Sequence, residues 1–337
     1  MFNFAIVGCG SMAHSHAQEL SRMPEVKVVA LVDPITARTA EFRQKYCPAA
    51  AEFASIESLF ECASVKLDAV VLVTPHSLHW PHAGAALDRG LHVLVEKPMV
   101  TSSEHAYDLW RRVKRSGKLL AISFQSAYTA EFGYLAGLRD SGEMGKVQSI
   151  SGWVSQNWLK NTTNTWRQQP ESAGGGMMYD TGAHLFNAVT WLMNDPVVEV
   201  GCFYDKCSSP VDINGVAIAR FQNGAMASFN ISGNCPAFGT EIQIHTDRML
   251  IHTDQYGGKL EIKGHDGKRI YPHVKQDLPL PGSGGTPHKN FVKALMGQEP
   301  LRAGVRYGTL LSALMDALYE SSDGRRIVAV QPVPADI

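Results

Sequence analysis

Three residues far apart along the chain carry side chains suited to proton transfer, namely Lys97, Asp180 and His184. Lys97 ends an apolar run typical of a buried strand, and a lysine at the carboxyl edge of a parallel sheet faces the crevice where ligands bind. Asp180 and His184 are four residues apart, which on a helix places them on one face. There the carboxylate sets the tautomer of the imidazole. The set predicts a general base and a charge-stabilising cation that act on a hydroxyl group.

Each of these residues also has a structural interpretation. Lys97 can be a surface lysine at a strand end, and Glu96 beside it can pair with it or touch a cofactor ribose. Asp180 can cap the start of a helix, with His184 packed one turn later. Three glycines, Gly174–Gly176, come before this pair and allow the backbone to pass close to a ligand. Capping and catalysis are compatible, so both interpretations stay open.

A glycine-rich turn near the start of the chain predicts a dinucleotide site. Gly8–Ala13 has the pattern G-x-G-x-x-A between a predicted strand and a predicted helix. Gly8 permits the tight turn, and Gly10 lets a pyrophosphate approach the backbone. Ser11 and Met12 begin the helix, whose N-terminus stabilises phosphate groups.

An acid at the end of the second predicted strand indicates which dinucleotide binds. Asp33 lies 23 residues beyond Gly10, close to the spacing of the acid that holds the ribose hydroxyls. A carboxylate there repels a 2′-phosphate, so Asp33 favours NAD. Arg38 lies nearby and leaves NADP open.

The order of predicted elements divides the chain into two domains. Residues 1–124 alternate short apolar strands with amphipathic helices, which predicts a Rossmann domain of α/β class with a doubly wound parallel sheet. Residues 125–337 predict an α+β domain with a large, mostly antiparallel sheet that binds substrate and mediates oligomerisation. Asn223-Gly224 predicts a hairpin turn within that sheet. Gly282–Pro287 predicts a connector before two closing helices, near His288–Met296 and Val305–Ser321.

Composition excludes several classes of partner. The formal net charge of −1 gives no basic excess for nucleic acid or for a membrane surface. No apolar run reaches the ~18 residues that cross a bilayer, and no basic segment precedes the first strand, so we expect no secretory signal. The six cysteines are scattered without a CxxC pattern, which favours a reduced, cytoplasmic protein.

The motifs taken in order resemble the Gfo/Idh/MocA oxidoreductase family along nearly the whole chain. The matching segments are GCGSMA, VTP at 73–75 with His79, HVLVEKP, GGGMMYDTGAH and the closing segment that ends in GRRIV. The resemblance implies that Lys97, Asp180 and His184 are catalytic and that Thr74, Pro75 and His79 line the nicotinamide cleft. It also implies a sugar, inositol or related polyol as substrate, and a homodimer or homotetramer formed through the open sheet.

Two positions depart from the family pattern. Many members carry an acid three residues after the catalytic histidine, where this chain has Asn187. Many also carry an arginine soon after the sixth strand, where this chain has Ala127. Both departures concern the specific substrate and leave the redox residues in place.

Two further clusters of polar and aromatic residues could take part in binding. His76, His79 and His82 recur at every third position, but no acidic or cysteine ligand accompanies them, so we expect no metal. Trp166-Arg167 comes shortly before the loop that carries Asp180. Its indole suits the C–H face of a sugar, and Arg167 can grip a carboxylate or a pair of hydroxyls.

Three functional hypotheses follow. The leading one is an NAD(P)-dependent dehydrogenase or reductase in which His184 removes the hydroxyl proton and Lys97 stabilises the forming carbonyl oxygen. The second is a glycosidase that retains NAD and oxidises its substrate transiently. The third, a dinucleotide-binding sensor without activity, is disfavoured because a sensor has no need of both Lys97 and His184.

Overall fold

A computed structural model describes residues 1–264, 269–271 and 285–334. The strands, in chain order, are β1 (Phe2–Val7), β2 (Val26–Val32), β3 (Ala51–Phe53), β4 (Ala69–Leu72), β5 (His92–Val95), β6 (Leu120–Ile122), β7 (Val147–Ser155), β8 (Val197–Asp205), β9 (Asn214–Phe221), β10 (Met226–Ser232), β11 (Gly239–Thr246), β12 (Met249–Thr253), β13 (Leu260–Gly264), β14 (Arg269–Tyr271) and β15 (Val328–Ala329). The helices are α1 (Ala13–Ser21), α2 (Thr36–Tyr46), α3 (Ile56–Glu61), α4 (His79–Asp88), α5 (Ser103–Ser116), α6 (Ala130–Asp140), α7 (Trp158–Asn161), α8 (Pro170–Ala173), α9 (Gly182–Met193), α10 (Pro287–Leu295) and α11 (Val305–Gly324).

The described residues form two compact units. The first contains Met1–Val100, Glu104–Ser123 and Pro287–Val305, and the second contains the rest. The sequence-based boundary after residue 124 therefore does not account for α10, which belongs to the first unit. The first half of the predicted connector Gly282–Pro287 lies outside the described residues.

The first unit is built on a six-stranded parallel sheet. Its strand order is β3-β2-β1-β4-β5-β6, so the order reverses between β1 and β4. In doubly wound sheets, ligands bind outside the carboxyl ends of the strands at this reversal point. The predicted Rossmann architecture is confirmed, and the glycine turn that follows β1 lies at the reversal.

Helix α10 joins the first unit through its apolar face. The rings of Phe4 in β1 and Phe291 in α10 pack edge to face, with centroids 5.9 Å apart. Both are fully buried, and burying one such side chain is worth ~1.5–3 kcal/mol. This packing explains why a segment distant in sequence belongs with the Rossmann sheet.

The second unit is built on a nine-stranded sheet in the order β14-β13-β12-β11-β7-β10-β9-β8-β15. Among the described strands of this second sheet, β7 and β10 are the one pair that runs parallel, which confirms the predicted, mostly antiparallel sheet. Asn223-Gly224 lies in the turn between the antiparallel β9 and β10, as predicted. Helix α9 covers the inner face, where Gly152 of β7 leaves room for Leu185.

The opposite, outer face of this sheet carries apolar side chains. Phe203, Val216, Ile218 and Met226 lie on β8, β9 and β10, and each is more than half exposed. They alternate with fully buried residues such as Phe229, so both faces of these strands are apolar. A contiguous exposed apolar surface of this kind is typical of an interaction site.

We therefore predict that the protein self-associates through this outer face. Light scattering at micromolar concentration is expected to give a multiple of the 36.8 kDa chain mass. The double change Val216→Lys and Ile218→Lys should shift the protein towards the single-chain mass, because charged side chains would have to be buried. Met296→Lys, at an exposed apolar position of the first unit, serves as the control and should not change the mass. A wild-type protein that gives only the single-chain mass contradicts the prediction.

Candidate active site

The glycine turn after β1 fits a dinucleotide. Gly8 has φ +91°, and a side chain there would meet the carbonyl oxygen of Val73 at 2.5 Å. By contrast, a Cβ atom at Gly10 would meet nothing within 4 Å, so the backbone faces open space at the start of α1. Ala13 is fully buried in the core, where its small side chain lets α1 pack closely on the sheet. The first glycine thus serves the turn, and the second leaves room for a phosphate group.

Asp33 connects the second strand to this turn. Its carboxylate accepts hydrogen bonds from the backbone N–H groups of Cys9 and Ile35, each at 2.9 Å. The side chain is nearly buried, and the guanidinium of Arg38 lies 3.7 Å from it. Asp33 therefore holds the glycine turn in place in addition to any contact with a ribose, a role that the sequence pattern did not indicate.

Replacing Asp33 is expected to change cofactor preference. Asp33→Ala should raise the Kd for NADH by ~10–100-fold, because a charge-assisted hydrogen bond is worth ~1.5–3 kcal/mol. Asp33→Asn removes the charge but keeps one acceptor oxygen for the turn. It should therefore raise the Kd for NADH less than Asp33→Ala does, and it should reduce the difference between the Kd values for NADH and NADPH. Fluorescence titration of both cofactors measures this. Tighter binding of NADPH than NADH by the unmodified protein would contradict it.

The segment after β4 is held by a buried histidine. His79 is fully enclosed, with Nδ1 2.7 Å from the carbonyl oxygen of Pro98 and Nε2 2.9 Å from that of Thr74. Burial lowers the pKa of His79, while the two carbonyl groups and the charge of Glu96 oppose that shift. The hydroxyl oxygen of Thr74 is buried and has no hydrogen-bond partner among the described residues. His79 thus fixes the ends of β4 and β5, and Thr74 keeps a polar atom free for a ligand at the reversal point.

Glu96, at the end of β5, belongs to a buried polar chain. Nε2 of His16 lies 2.7 Å from the Glu96 carboxylate, and Nδ1 of His16 lies 2.8 Å from Nε2 of His288. Burial lowers the pKa of His288 to about 3, so this imidazole is neutral. Glu96 also accepts the backbone N–H of Lys97, and the Lys97–Pro98 peptide is cis. These hydrogen-bonded side chains fix the backbone at Lys97, whose own side chain is half-buried.

The second unit places Asp180 before a helix rather than on it. Helix α9 begins at Gly182, so Asp180 lies in the preceding turn, and the predicted helical spacing to His184 is wrong in this detail. The carboxylate of Asp180 accepts hydrogen bonds from Nε1 of Trp158 at 2.8 Å and from Nε of Arg167 at 3.1 Å. These two donors orient a nearly buried carboxylate beside the first turn of α9.

Trp166 and Arg167 lie beside this carboxylate. The Arg167 guanidinium stacks over the Trp166 ring at 4.6 Å, a cation–π contact. Arg167 therefore binds the carboxylate of Asp180 and stacks on Trp166 within the protein. The sequence pattern had assigned it to a carboxylate or hydroxyl pair of the substrate. The fully buried Trp158 was missed as a partner of Asp180, because its indole N–H gives no local sequence signal.

The glycines before Asp180 pack against protein atoms. A side chain at Gly176 would collide with the backbone of Asp212, and one at Gly175 would collide with the Tyr319 hydroxyl. Asp212 accepts the N–H groups of Gly176 and Met178, and the Tyr319 hydroxyl donates to it at 2.5 Å. Burial raises the pKa of Asp212, while these hydrogen bonds oppose the shift. The glycines therefore allow the backbone to pack closely against Asp212 and Tyr319, and the hydrogen bonds to Asp212 fix the turn that carries Asp180. We had expected these glycines to allow close approach to a ligand.

The two positions that depart from the family pattern lie next to each other. Asn187 and Ala127 are both fully buried, and Nδ2 of Asn187 donates to the Ser126 hydroxyl at 3.4 Å. Oδ1 of Asn187 accepts no hydrogen bond within the part of the chain that the structure describes. Because of these two departures, the buried region one helical turn beyond His184 carries no charged side chain at either position.

The candidate catalytic residues come from both units. Lys97 belongs to the first, and Asp180 and His184 belong to the second. Their convergence on one substrate stays a prediction. Within residues 1–264, 269–271 and 285–334, no three His, Cys, Asp or Glu side chains are placed to hold a metal ion. No helix in these ranges is long and apolar enough to cross a membrane.

Two family models match the chain. Residues 2–124 match a model described as an oxidoreductase family with an NAD-binding Rossmann fold. Residues 132–252 match the GFO/IDH/MocA C-terminal domain. The chain belongs to the GFO/IDH/MocA oxidoreductase family. The resemblance drawn from the motifs is confirmed, and the protein is an oxidoreductase with an NAD-binding domain.

Similar proteins include dehydrogenases of ring compounds. A 1-carboxy-3-chloro-3,4-dihydroxycyclo hexa-1,5-diene dehydrogenase of Comamonas testosteroni is 28% identical over 216 residues, which are 64% of this chain and 53% of that relative. The chain thus spans about half of that relative's length. D-glucoside 3-dehydrogenase of Escherichia coli K12 is 25% identical over 352 residues, with 96% of each chain covered.

Solved structures share the fold over nearly the full length. The WlbA dehydrogenase of Bordetella pertussis, solved with NADH and UDP-GlcNAcA, has a TM-score of 0.85 at 22% identity and is covered to 99%, as is this chain. A levoglucosan dehydrogenase solved with NADH has a TM-score of 0.85 at 20% identity, covering 98% of this chain and 100% of that one. At these identities the likeness establishes the fold.

Proposed function

We propose that this protein is an NAD-dependent dehydrogenase or reductase of a cyclic sugar or polyol. The observation that carries the proposal is the glycine turn at the reversal point, with open space at Gly10 and a buried, unpaired hydroxyl at Thr74. It provides a dinucleotide site directly beside the segment that carries Lys97. The relatives named above act on cyclic compounds, and three others are named for inositol, levoglucosan and glucose 6-phosphate.

The chemistry follows from the side chains. In the oxidising direction a secondary alcohol becomes a ketone, and NAD, when bound, accepts the hydride from carbon. His184 takes the hydroxyl proton, and Lys97 donates a hydrogen bond to the oxygen as it becomes a carbonyl. Asp180, oriented by Trp158 and Arg167, keeps a carboxylate at the start of α9, the helix that carries His184.

NAD is the preferred cofactor in this proposal. The carboxylate of Asp33 lies at the end of β2, and a 2′-phosphate there would meet a negative charge. Arg38, at 3.7 Å, is half exposed and already lies beside that carboxylate. The NAD-bound neighbours are consistent with this choice.

We further propose that residues 1–124, together with α10, bind the cofactor. The rest of the chain binds the substrate and mediates self-association. We also propose that the protein is cytoplasmic. All six cysteines lie in described segments and are free thiols. Three of them, Cys9, Cys47 and Cys202, are buried. Burial raises the pKa of Cys9 and Cys202 to about 12 and that of Cys47 to about 11, which makes these thiols inert.

Absorbance at the NADH band tests the proposal. The protein is given NAD or NADP with a panel of cyclitols, pyranosides and open-chain alditols. NADH formation with at least one cyclic compound, faster with NAD than with NADP, is the expected result. Absence of turnover with every compound and both cofactors overturns it.

A further inference from the structure

The end of the second unit's sheet gathers several loops around His184. β7 ends at Ser155 and β10 at Ser232, while β11 begins at Gly239, and all three are in register at this edge. Because β12 runs antiparallel to β11, it ends at the same edge, and the loop 254–258 follows it. Helix α9 begins there too, since Gly182 lies against Ile231 of β10.

Two aromatic rings extend from His184 along this edge. The Tyr256 ring lies 5.4 Å from the His184 ring at an angle of 58°. The Phe238 ring stacks on the Tyr256 ring, with centroids 6.2 Å apart and an interplanar angle of 30°. We call Phe238 and Tyr256 the aromatic wall.

The wall is held in place by its backbone. The carboxylate of Asp254 accepts the N–H of Tyr256 at 2.8 Å, and Gly257, at φ +71°, passes so close to Thr129 that a side chain would collide. On the other segment, the Ser155 hydroxyl donates to the carbonyl oxygen of Ala237 at 3.0 Å. The backbone that carries each ring is therefore held before any ligand arrives, which lowers the entropy cost of binding.

The wall combines an apolar surface with one polar group. Phe238 is 59% exposed, so it contributes little to the core. Burial raises the pKa of Tyr256, and the negative charge of Asp180 adds to that shift, so its hydroxyl keeps its proton at neutral pH. A flat apolar face beside a proton-transfer residue suits a ring whose C–H bonds point to one side and whose hydroxyls point outward.

We propose that the aromatic wall is a substrate subsite that binds the C–H face of a pyranose or cyclitol ring and selects cyclic over open-chain polyols. This inference rests on the proposed function, because it places the reacting hydroxyl at His184. The apolar outer face with Phe203 and Ile218 lies on β8 and β9, whereas the wall stands at the strand ends beside His184. The occupant we assign to the wall is therefore the substrate ring and not a second copy of the chain.

The first test is kinetic. With the best cyclic substrate, Phe238→Ala is expected to raise KM about tenfold, since an aromatic contact is worth ~0.5–1.5 kcal/mol beyond its area. The value of kcat should change less than twofold, and KM for the open-chain alditol of the same configuration should not change. Phe238→Leu, which keeps apolar bulk without a flat ring, should give an intermediate KM. Met296→Ala, which removes an exposed apolar side chain of the first unit, is the control and should leave both KM values unchanged.

The second test does not need turnover. Saturation-transfer NMR with the NADH-loaded protein and methyl β-D-glucopyranoside should show the strongest transfer at the axial ring hydrogens of one face. Phe238→Ala should abolish this pattern, and the control Met296→Ala should not. Three results would each overturn the inference. The first is an equal effect of Phe238→Ala on KM for cyclic and open-chain substrates, and the second is a lower mass of the assembled protein in Phe238→Ala. The third is the absence of saturation transfer in the wild-type protein. The proposed function fails separately, if the wild-type protein forms no NADH.

Discussion

His184→Ala is expected to lower kcat by ~10²–10⁴-fold, because the hydroxyl proton then has to leave without a positioned base. His184 lies in the first turn of α9, and its ring contacts the Tyr256 ring at 5.4 Å. Removal of its side chain leaves the hydrogen bonds of Asp180 to Trp158 and Arg167 in place. The loss should therefore appear in kcat, while the Kd for NADH stays within twofold.

Added imidazole gives a readout that a purely structural histidine would not show. It should restore part of the activity of His184→Ala in proportion to its concentration, since a small base can occupy the space of the lost ring. The matched control is His252→Ala, a histidine of the same unit that pairs with Glu241 on the sheet. This variant should keep wild-type kcat. Near-normal turnover in His184→Ala would contradict the assignment.

Lys97→Ala is expected to lower kcat by ~10²–10³-fold, the loss typical of removing one donor to a developing oxyanion. The backbone at Lys97 is fixed independently of its side chain, by the hydrogen bond to Glu96 and by the neighbouring Pro98, whose carbonyl oxygen contacts His79. The glycine turn and Asp33 stay intact, so NADH should bind as before. Lys97→Arg should recover little, because a planar guanidinium does not replace a compact ammonium.

The control for Lys97 is Lys27→Ala, an exposed lysine at the amino end of β2 and therefore far from the carboxyl ends of the strands. Its kcat and NADH affinity should match the wild-type values. A Lys97→Ala protein that loses NADH binding in parallel with kcat would indicate a structural role and contradict the assignment.

Local patterns predicted the parts of the fold that depend on neighbours in sequence. The strand and helix beside Gly8–Ala13 follow from apolar periodicity and glycine spacing, and Asn223-Gly224 follows from turn chemistry. Periodicity does not indicate the short β3 or helix α3, since segments of three and six residues are too short to show a periodic pattern. Helix α10 has a clear apolar face, but periodicity does not tell which sheet that face packs against.

The candidate site was predictable where a motif carries it and not where distant residues meet. Lys97, Asp180 and His184 stand in recognisable motifs. The contact of His16 with His288 spans 272 residues, and the ring contact of Tyr256 with His184 joins a strand loop to a helix. Such pairs depend on tertiary packing, which one sequence does not reveal. The turn at Asp180 was not predicted for the same reason, because its shape depends on the hydrogen bonds from the backbone of Gly176 and Met178 to the distant Asp212.

The most direct test of the account follows one hydrogen from substrate to cofactor. The best cyclic substrate, carrying deuterium at the carbon that bears the reacting hydroxyl, is incubated with NAD and the wild-type protein, and the cofactor is analysed by mass spectrometry. We expect NADH that is heavier by one deuterium and formed in equal amount to the ketone, with this transfer slowed in His184→Ala and Lys97→Ala. Unlabelled NADH, or a product released with its deuterium while the cofactor stays oxidised, would contradict it.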